Sequence, residues 1–269
     1  MKKETEKIEA GMTSGETVFE GITSIRSLID AAATGLSDRK ITKIYCDEAK
    51  TSARKGELGW LRHRAEEQGF TIETLPTADV EALALGSSHG GLLALCTGRT
   101  IPPITDFKPG ENCFAAMLEG IEDPYNFGYA LRSLWAAGAD AVILPPRSWM
   151  SAAGIVCRSS AGASELMPMY VSEGAAASEY LKSYGLRTVC ADVKNSVPLA
   201  DADMSRPIFL VVGGERRGIS SALLNRADTI VRIDYGRQYN ASLSAASATA
   251  ILAFEVTRRT GGAVRQYIH

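Results

Sequence analysis

From Val18 onward, stretches with apolar residues at helical spacing alternate with short, solid apolar runs. Ile25, Leu28, Ile29 and Ala32 predict a helix, ITKIYC (41–46) a strand, 58–68 a helix and 71–75 a strand. A short helix and the strand GLLALC (91–96) complete a small α/β domain. The pattern then lapses. TGRTIPPITDFKPGEN, 97–112, holds three prolines and two glycines with no sustained period, which is the composition of a linker. Beyond it the alternation resumes at greater length. Strands are expected at 114–118, 141–144, 187–191, 208–212 and 229–233, with helices at 126–137, near 151–160, and at 175–184, 219–225 and 242–258. Strands separated by helices need crossover connections, so the sheet should be mostly parallel. The expected organisation is a mobile tail at 1–18, a small α/β domain at 19–98, a linker at 99–111 and a larger α/β domain at 112–269.

Composition narrows the class. A chain of 269 residues, 45% hydrophobic and 22% charged, is globular rather than disordered, coiled-coil or fibrous. Its net charge of -2 rules out a polycation that coats nucleic acid through bulk charge, so any such contact must come from local patches. The five cysteines are scattered, odd in number and free of CxxC pairs, which fits reduced, buried thiols better than a zinc site or disulfide framework. No metal is expected, and the compartment reads as cytoplasmic. The opening MKKETEKIEA is too polar for a signal peptide, and no run approaches the roughly 18 apolar residues that span a bilayer, so no membrane partner is expected.

Ligands of parallel α/β sheets sit at the carboxyl ends of the strands, which directs attention to three loops. In the first, 119–132, Asn126 is placed to cap a helix, Gly128 permits close approach, and Arg132 follows one turn later. A plain cap with an Arg132–Glu122 ion pair explains this loop equally well. The second runs IFLVV directly into Gly213-Gly214-Glu215-Arg216-Arg217-Gly218 and a helix. That arrangement can hold a nucleotide-like ligand by backbone groups, but it lacks the spacing of a P-loop or a dinucleotide fingerprint, and a tight turn alone would explain it. The third passes from Ile233 to Ser242-Leu243 and an Ala/Ser-rich helix, whose small residues imply close packing.

Taken together, Asn126-x-Gly128-x-x-x-Arg132, Gly213-x-Glu215-x-x-Gly218 and Ser242-Leu243 resemble the SpoU/TrmH family of SPOUT-class RNA 2′-O-ribose methyltransferases. Ser160-Ala-Gly162-Ala163 and the strand-ending Ile233 fit the same pattern over about residues 112 to 258. His89-Gly90-Gly91 resembles the turn before the last strand of the family's small substrate (RNA)-binding domain, although a loop histidine is ordinarily structural. The resemblance implies a C-terminal SPOUT domain closed by a trefoil knot, a homodimer, and S-adenosyl-L-methionine as cofactor. Carried over, Gly213, Gly214, Gly218, Ile233 and Leu243, with Ala191, would hold the cofactor. Asn126, Arg132, Glu215 and Ser242 would form the catalytic set. The implied reaction is methyl transfer to a ribose 2′-hydroxyl, with ribosomal RNA ahead of transfer RNA.

Two departures stand out. The family's third motif reads Ile-Pro-Met and then Ser-Leu-Asn, whereas here Asp234-Tyr235 follows Ile233 and Ser244 follows Leu243. They leave open a knotted RNA-binding protein of the same fold with weak or lost catalysis. Asp234 also adds negative charge unless Arg232 or Arg237 pairs with it. Lys40, Lys43, Arg54, Lys55, Arg62 and Arg64, and Arg132, Arg147, Arg158, Arg216 and Arg217, could form RNA-facing patches or ordinary ion pairs. Tyr125, Phe127 and Tyr129 could stack on a base, one of them being expected in the core.

Overall fold

A solid apolar strand needs cover on both faces, and the chain builds its strands into two separate sheets with helices packed on each. The computed structural model describes residues 15–146, 152–238 and 240–259. They divide into one unit of residues 15–100 with 152–166 and another of 101–146 with 167–259.

The first unit has a four-stranded sheet in the order β1 (Thr17–Glu20), β4 (Leu92–Cys96), β2 (Ile41–Asp47), β3 (Thr71–Leu75). β4 runs antiparallel to β1 and β2, and β2 runs parallel to β3. Helices α1 (Gly21–Ala33), α2 (Lys55–Gln68) and α3 (Thr77–Leu83) complete the elements expected here. The 1–18 tail is corrected at its end, because Thr17 and Val18 pair with Cys96 and Leu95 as strand residues, and Val18 and Phe19 are buried. The rest of that expectation, 1–14, lies outside the described residues.

A larger correction concerns helices α5 (Ala153–Ser159) and α6 (Ala163–Leu166), which were expected within the 112–269 domain. Ala153 and Cys157 belong to the core built by Phe19, Ile25, Ile29 and Leu92. Small residues permit the approach. A Cβ on Gly154 would overlap the Val18 carbonyl, and one on Gly162 (φ +86) would overlap the Ser27 hydroxyl. The join is sealed by an ion pair between Arg39 and Glu165 at 3.1 Å, with the two side chains 2% and 4% exposed. Arg39 also donates to the Thr97 carbonyl at 2.8 Å and lies over the Phe19 ring. His89 is buried, and its Nδ1 accepts the Gly91 N–H at 3.0 Å, which is a structural turn. Three cations of the candidate patch are paired locally: Lys43 with Glu73 at 2.7 Å, Arg64 with Glu67, and Arg54 with Glu57. A fourth, Arg158, pairs with Glu20.

The second unit contains β5 (Phe114–Glu119), α4 (Pro124–Ala136), β6 (Ala141–Leu144), β7 (Met169–Val171), α7 (Gly174–Lys182) and β8 (Arg187–Ala191). It continues with β9 (Val197–Pro198), β10 (Ile208–Gly213), α8 (Ser221–Leu224), β11 (Thr229–Arg232) and α9 (Ala245–Arg259). Its seven strands lie in the order β7-β6-β5-β10-β8-β11-β9, and every pair is parallel. The short strands β7 and β9, at the edges, were not expected, because runs of two or three residues leave no period to read. In the middle, β10 pairs with β5 from Ile208 opposite Phe114 to Gly213 opposite Glu119. This register sets the loops after both strands side by side. Helix α9 packs along α4, and the Thr257 hydroxyl donates to the Ala137 carbonyl at 2.6 Å.

All five cysteines are buried and unpaired. Burial pushes the Cys113, Cys157 and Cys190 thiols up to about 12, so they are neutral and unreactive at ordinary pH. Among the described residues no helix is long and apolar enough to cross a membrane, and no group of three or more side chains could hold a metal ion.

Removing one member of a buried pair strands the other charge. Arg39→Met or Glu165→Leu alone should therefore cost about 3–5 kcal/mol in urea unfolding, and Arg39→Met/Glu165→Leu together should recover most of that loss. Equal losses in the single and double variants would show that the pair is not acting as a unit.

Candidate active site

The site is assembled where β5 and β10 end. Past its last residue pair the chain continues as touching loops: the Gly214 N–H donates to the Glu119 carbonyl at 2.7 Å, and a Cβ on Gly214 would overlap the Gly120 carbonyl. A Cβ on Gly213 would lie 2.7 Å from the Gly218 carbonyl carbon. The turn closes through the Gly218 N–H on the Gly214 carbonyl at 2.9 Å, with Gly218 at φ +61. These glycines are thus required first by backbone approach within the protein. The Glu119 carboxylate takes the Ser220 N–H at 3.0 Å on the far side of the turn.

Ahead of α4, Asp123 accepts the Asn126 N–H at 2.9 Å and is the helix cap, with Pro124 in the first turn. Asn126 was expected to hold that place. Asp-Pro before an apolar period is itself a helix-start signal, so the sequence did contain this cue. Its side chain is released for another contact, and Asn126 Nδ2 donates to Glu215 Oε1 at 3.4 Å. The same oxygen accepts the Ala245 N–H at 3.3 Å. Glu215 thereby joins the first turns of α4 and α9, where the helix dipoles favour a carboxylate. Glu122 is held by Arg217 at 2.9 Å and Arg216 at 3.4 Å, which corrects the Arg132–Glu122 pairing.

A cavity of about 960 Å³ opens beside this junction. Its wall includes Ala191, Gly213, Gly214, Glu215, Gly218, Ile233, Ser242 and Leu243, gathered from the ends of β8, β10 and β11 and the approach to α9. Asn126 lines a smaller adjoining hollow of about 360 Å³ that shares Glu215 and Ala245 with it. Arg132 stands apart: it is exposed on α4, outside both linings, and makes no ion pair or hydrogen bond among the described residues. Tyr125 and Tyr129 are exposed on the same helix, while Phe127 is core. Arg147 lies outside the described residues.

The sequence reading missed Asp192, Tyr235 and Ala248, which share the cavity wall. Tyr235 accepts the Leu243 N–H on its hydroxyl at 3.0 Å. Asp234 pairs with Arg232 at 2.8 Å, and Arg232 donates to the Ser196 carbonyl at 2.6 Å. Ser244 caps α9: its hydroxyl oxygen accepts the Ser247 N–H at 3.1 Å, and its carbonyl the Ala248 N–H at 2.9 Å.

The chain is similar to known proteins in both sequence and fold. Residues 114–254 match the model of the SpoU rRNA Methylase family. A Staphylococcus haemolyticus protein named for the TrmH family of tRNA/rRNA methyltransferases is 28% identical over 230 residues, covering 83% of this chain and 90% of its own. Among solved structures, the AdoMet-bound rRNA methyltransferase of Sinorhizobium meliloti superposes with a TM-score of 0.75 at 21% identity, covering 96% of this chain and 90% of that one. An RNA 2′-O ribose methyltransferase superposes with a TM-score of 0.74 at 22% identity, covering 91% and 88%. At such identities the structures show a shared fold.

The glycine contacts predict an order of damage. Gly214→Ala must move two backbones and should lower the melting temperature far more than Gly218→Ala, whose Cβ meets open space and whose cost is the left-handed backbone, about 1–2 kcal/mol. Ser244→Ala should lose about 1 kcal/mol of cap energy, while Ser244→Asn should keep it. Equal melting temperatures for Gly214→Ala and Gly218→Ala would disprove the close approach.

Proposed function

This chain belongs to the SpoU rRNA Methylase family and is an RNA methyltransferase of that class, and within it we propose that S-adenosylmethionine methylates a ribose 2′-hydroxyl of RNA, ribosomal RNA being the favoured target class. The observation that carries the reading is the convergence of the ends of β8, β10 and β11 on one cavity beside the Asn126–Glu215 contact.

The residues present suit the donor. A volume of about 960 Å³ lies in the range of small-molecule sites. Main chain at Gly213, Ile233 and Leu243 offers hydrogen-bonding groups, Val212, Val231 and Leu252 offer apolar wall for a purine, and Asp192 offers negative charge to a cation. When bound, S-adenosylmethionine supplies a methyl group on a sulfonium that departs as a neutral thioether, so no general acid is needed for the leaving group.

The work left to the protein is alignment and activation of the hydroxyl. Glu215 fixes the Asn126 amide, whose remaining donor and acceptor capacity faces the adjoining hollow and suits the ribose. Ser242 adds an exposed hydroxyl on the cavity wall. Arg132 stays protonated at any ordinary pH, which excludes it as a simple base. Exposed and unpaired among the described residues, it is suited to clamp the phosphate next to the target and stabilise the developing alkoxide, the proton passing to phosphate or water. The same reading takes the parallel sheet to be closed by a trefoil knot and the working form to be a homodimer.

Calorimetry with S-adenosylmethionine and S-adenosylhomocysteine is the direct test. The expected result is 1:1 binding that Ala248→Phe, which fills the cavity from α9, abolishes without lowering the melting temperature. Ribosomal RNA treated with protein and donor should then yield 2′-O-methylated nucleosides on digestion. Absence of binding at millimolar donor by folded protein, or methylation of a base, would overturn the reading. Arg132→Lys keeps the charge but loses the fork, and should lower kcat about tenfold or more with donor affinity unchanged.

A further inference from the structure

Tyr235 lines the cavity, and the proposed chemistry assigns it no task. It follows β11 in the stretch that leads to α9, and both ends of that stretch are anchored. At the near end Arg232 pairs with Asp234 at 2.8 Å and donates to the Ser196 carbonyl at 2.6 Å. At the far end Ser244 caps α9. Between the anchors, residues 235–238 and 240–242 are exposed and have no regular secondary structure. The phenol bridges directly from the beginning of this stretch to its end, its oxygen accepting the Leu243 N–H at 3.0 Å. Both partners belong to the cavity wall, and the cavity keeps its volume of about 960 Å³ with the bond made. The bond and a bound nucleoside are therefore compatible.

We infer that Tyr235 is a positioning residue for the donor: by latching Leu243, it holds the Ile233 and Leu243 main chain at a fixed spacing across the cavity before ligand arrives. The inference rests on the donor-binding reading above. Its physical content is preorganisation. Without the latch, ligand binding has to order an exposed stretch, and that entropy is deducted from affinity. A phenol suits the task, because its rigid ring spans the distance with two side-chain torsions and its oxygen accepts the amide.

Tyr235→Phe keeps the ring and removes the hydroxyl, and three measurements on the full chain test it. S-adenosylhomocysteine should bind about three- to tenfold more weakly by calorimetry, the size of one neutral hydrogen bond. Trypsin should cut after Arg237 faster than in the unsubstituted protein, and added S-adenosylhomocysteine should slow the cut. The ligand-free melting temperature should not move, which separates positioning from a general structural role. Unchanged affinity and unchanged cleavage would overturn the latch. Tighter binding by Tyr235→Phe would also overturn it, showing that the phenol withholds the Leu243 amide from the ligand. If the unsubstituted protein bound neither S-adenosylmethionine nor S-adenosylhomocysteine, the donor reading itself would fall. Binding by that protein with no difference in the variant would remove the latch alone.

Discussion

The site depends on one close approach between two backbones. Parallel pairing of β5 with β10 brings Glu119 beside Gly213, and the contact continues beyond the sheet because neither Gly120 nor Gly214 carries a side chain. With the Gly214 N–H on the Glu119 carbonyl, the next residue, Glu215, falls within reach of both Asn126 and Ala245. One peptide contact thus sets the relative placement of two helix starts and the cavity edge. A side chain at position 214 would part the loops and lose the Glu215 junction with them, even though it touched no ligand.

Charges of both signs surround that junction. Asp192, Asp234 and Glu215 stand on the cavity wall with Arg232 and Arg237, and Asp234 is paired with Arg232 at 2.8 Å, while Arg132 and Arg216 are exposed outside the larger cavity. Asp192 and Glu215 suit a cationic donor, and exposed guanidinium groups suit a polyanion, whose phosphates attract them strongly at low salt. A net charge of -2 is no obstacle to such contacts, because the field near a surface follows local groups rather than the total. In the first unit, Lys43, Arg54 and Arg64 are paired with local glutamates, so three of the six cations counted there in the sequence are committed to ion pairs.

Much of this was legible in the sequence, for reasons of scale. β10 is a solid apolar run that stops at two glycines, and a strand of six buried or half-buried residues ending in a turn has few other readings. The order of the three motifs identified the cavity residues Gly213, Ile233 and Leu243 before any geometry was known. What escaped was tertiary. α5 and α6 are rich in small residues that could line either core, and their place is decided by Arg39 meeting Glu165, an interaction that leaves no local period. β1 is short and runs straight into α1, so its buried Val18 and Phe19 look like the beginning of the helix. Partner choice escaped too: Glu122 took Arg216 and Arg217 rather than Arg132, because the β5–β10 pairing brings their loop alongside.

The departures from the family's third motif bear on whether the site is intact. A proline after Ile233 would have restrained the backbone by its ring. Here Asp234 restrains it by pairing with Arg232, itself tied to the Ser196 carbonyl. In place of methionine, Tyr235 reaches across to the Leu243 amide. An asparagine after Leu243 would cap α9 well, and Ser244 caps it with its hydroxyl. Of three substitutions that look in isolation like decay, two introduce a contact within the stretch between β11 and α9 and the third keeps the cap at its end. A site losing its function would be expected to accumulate changes that remove restraints independently. These preserve the restraint by other chemistry, which favours a working donor site over a relic of one.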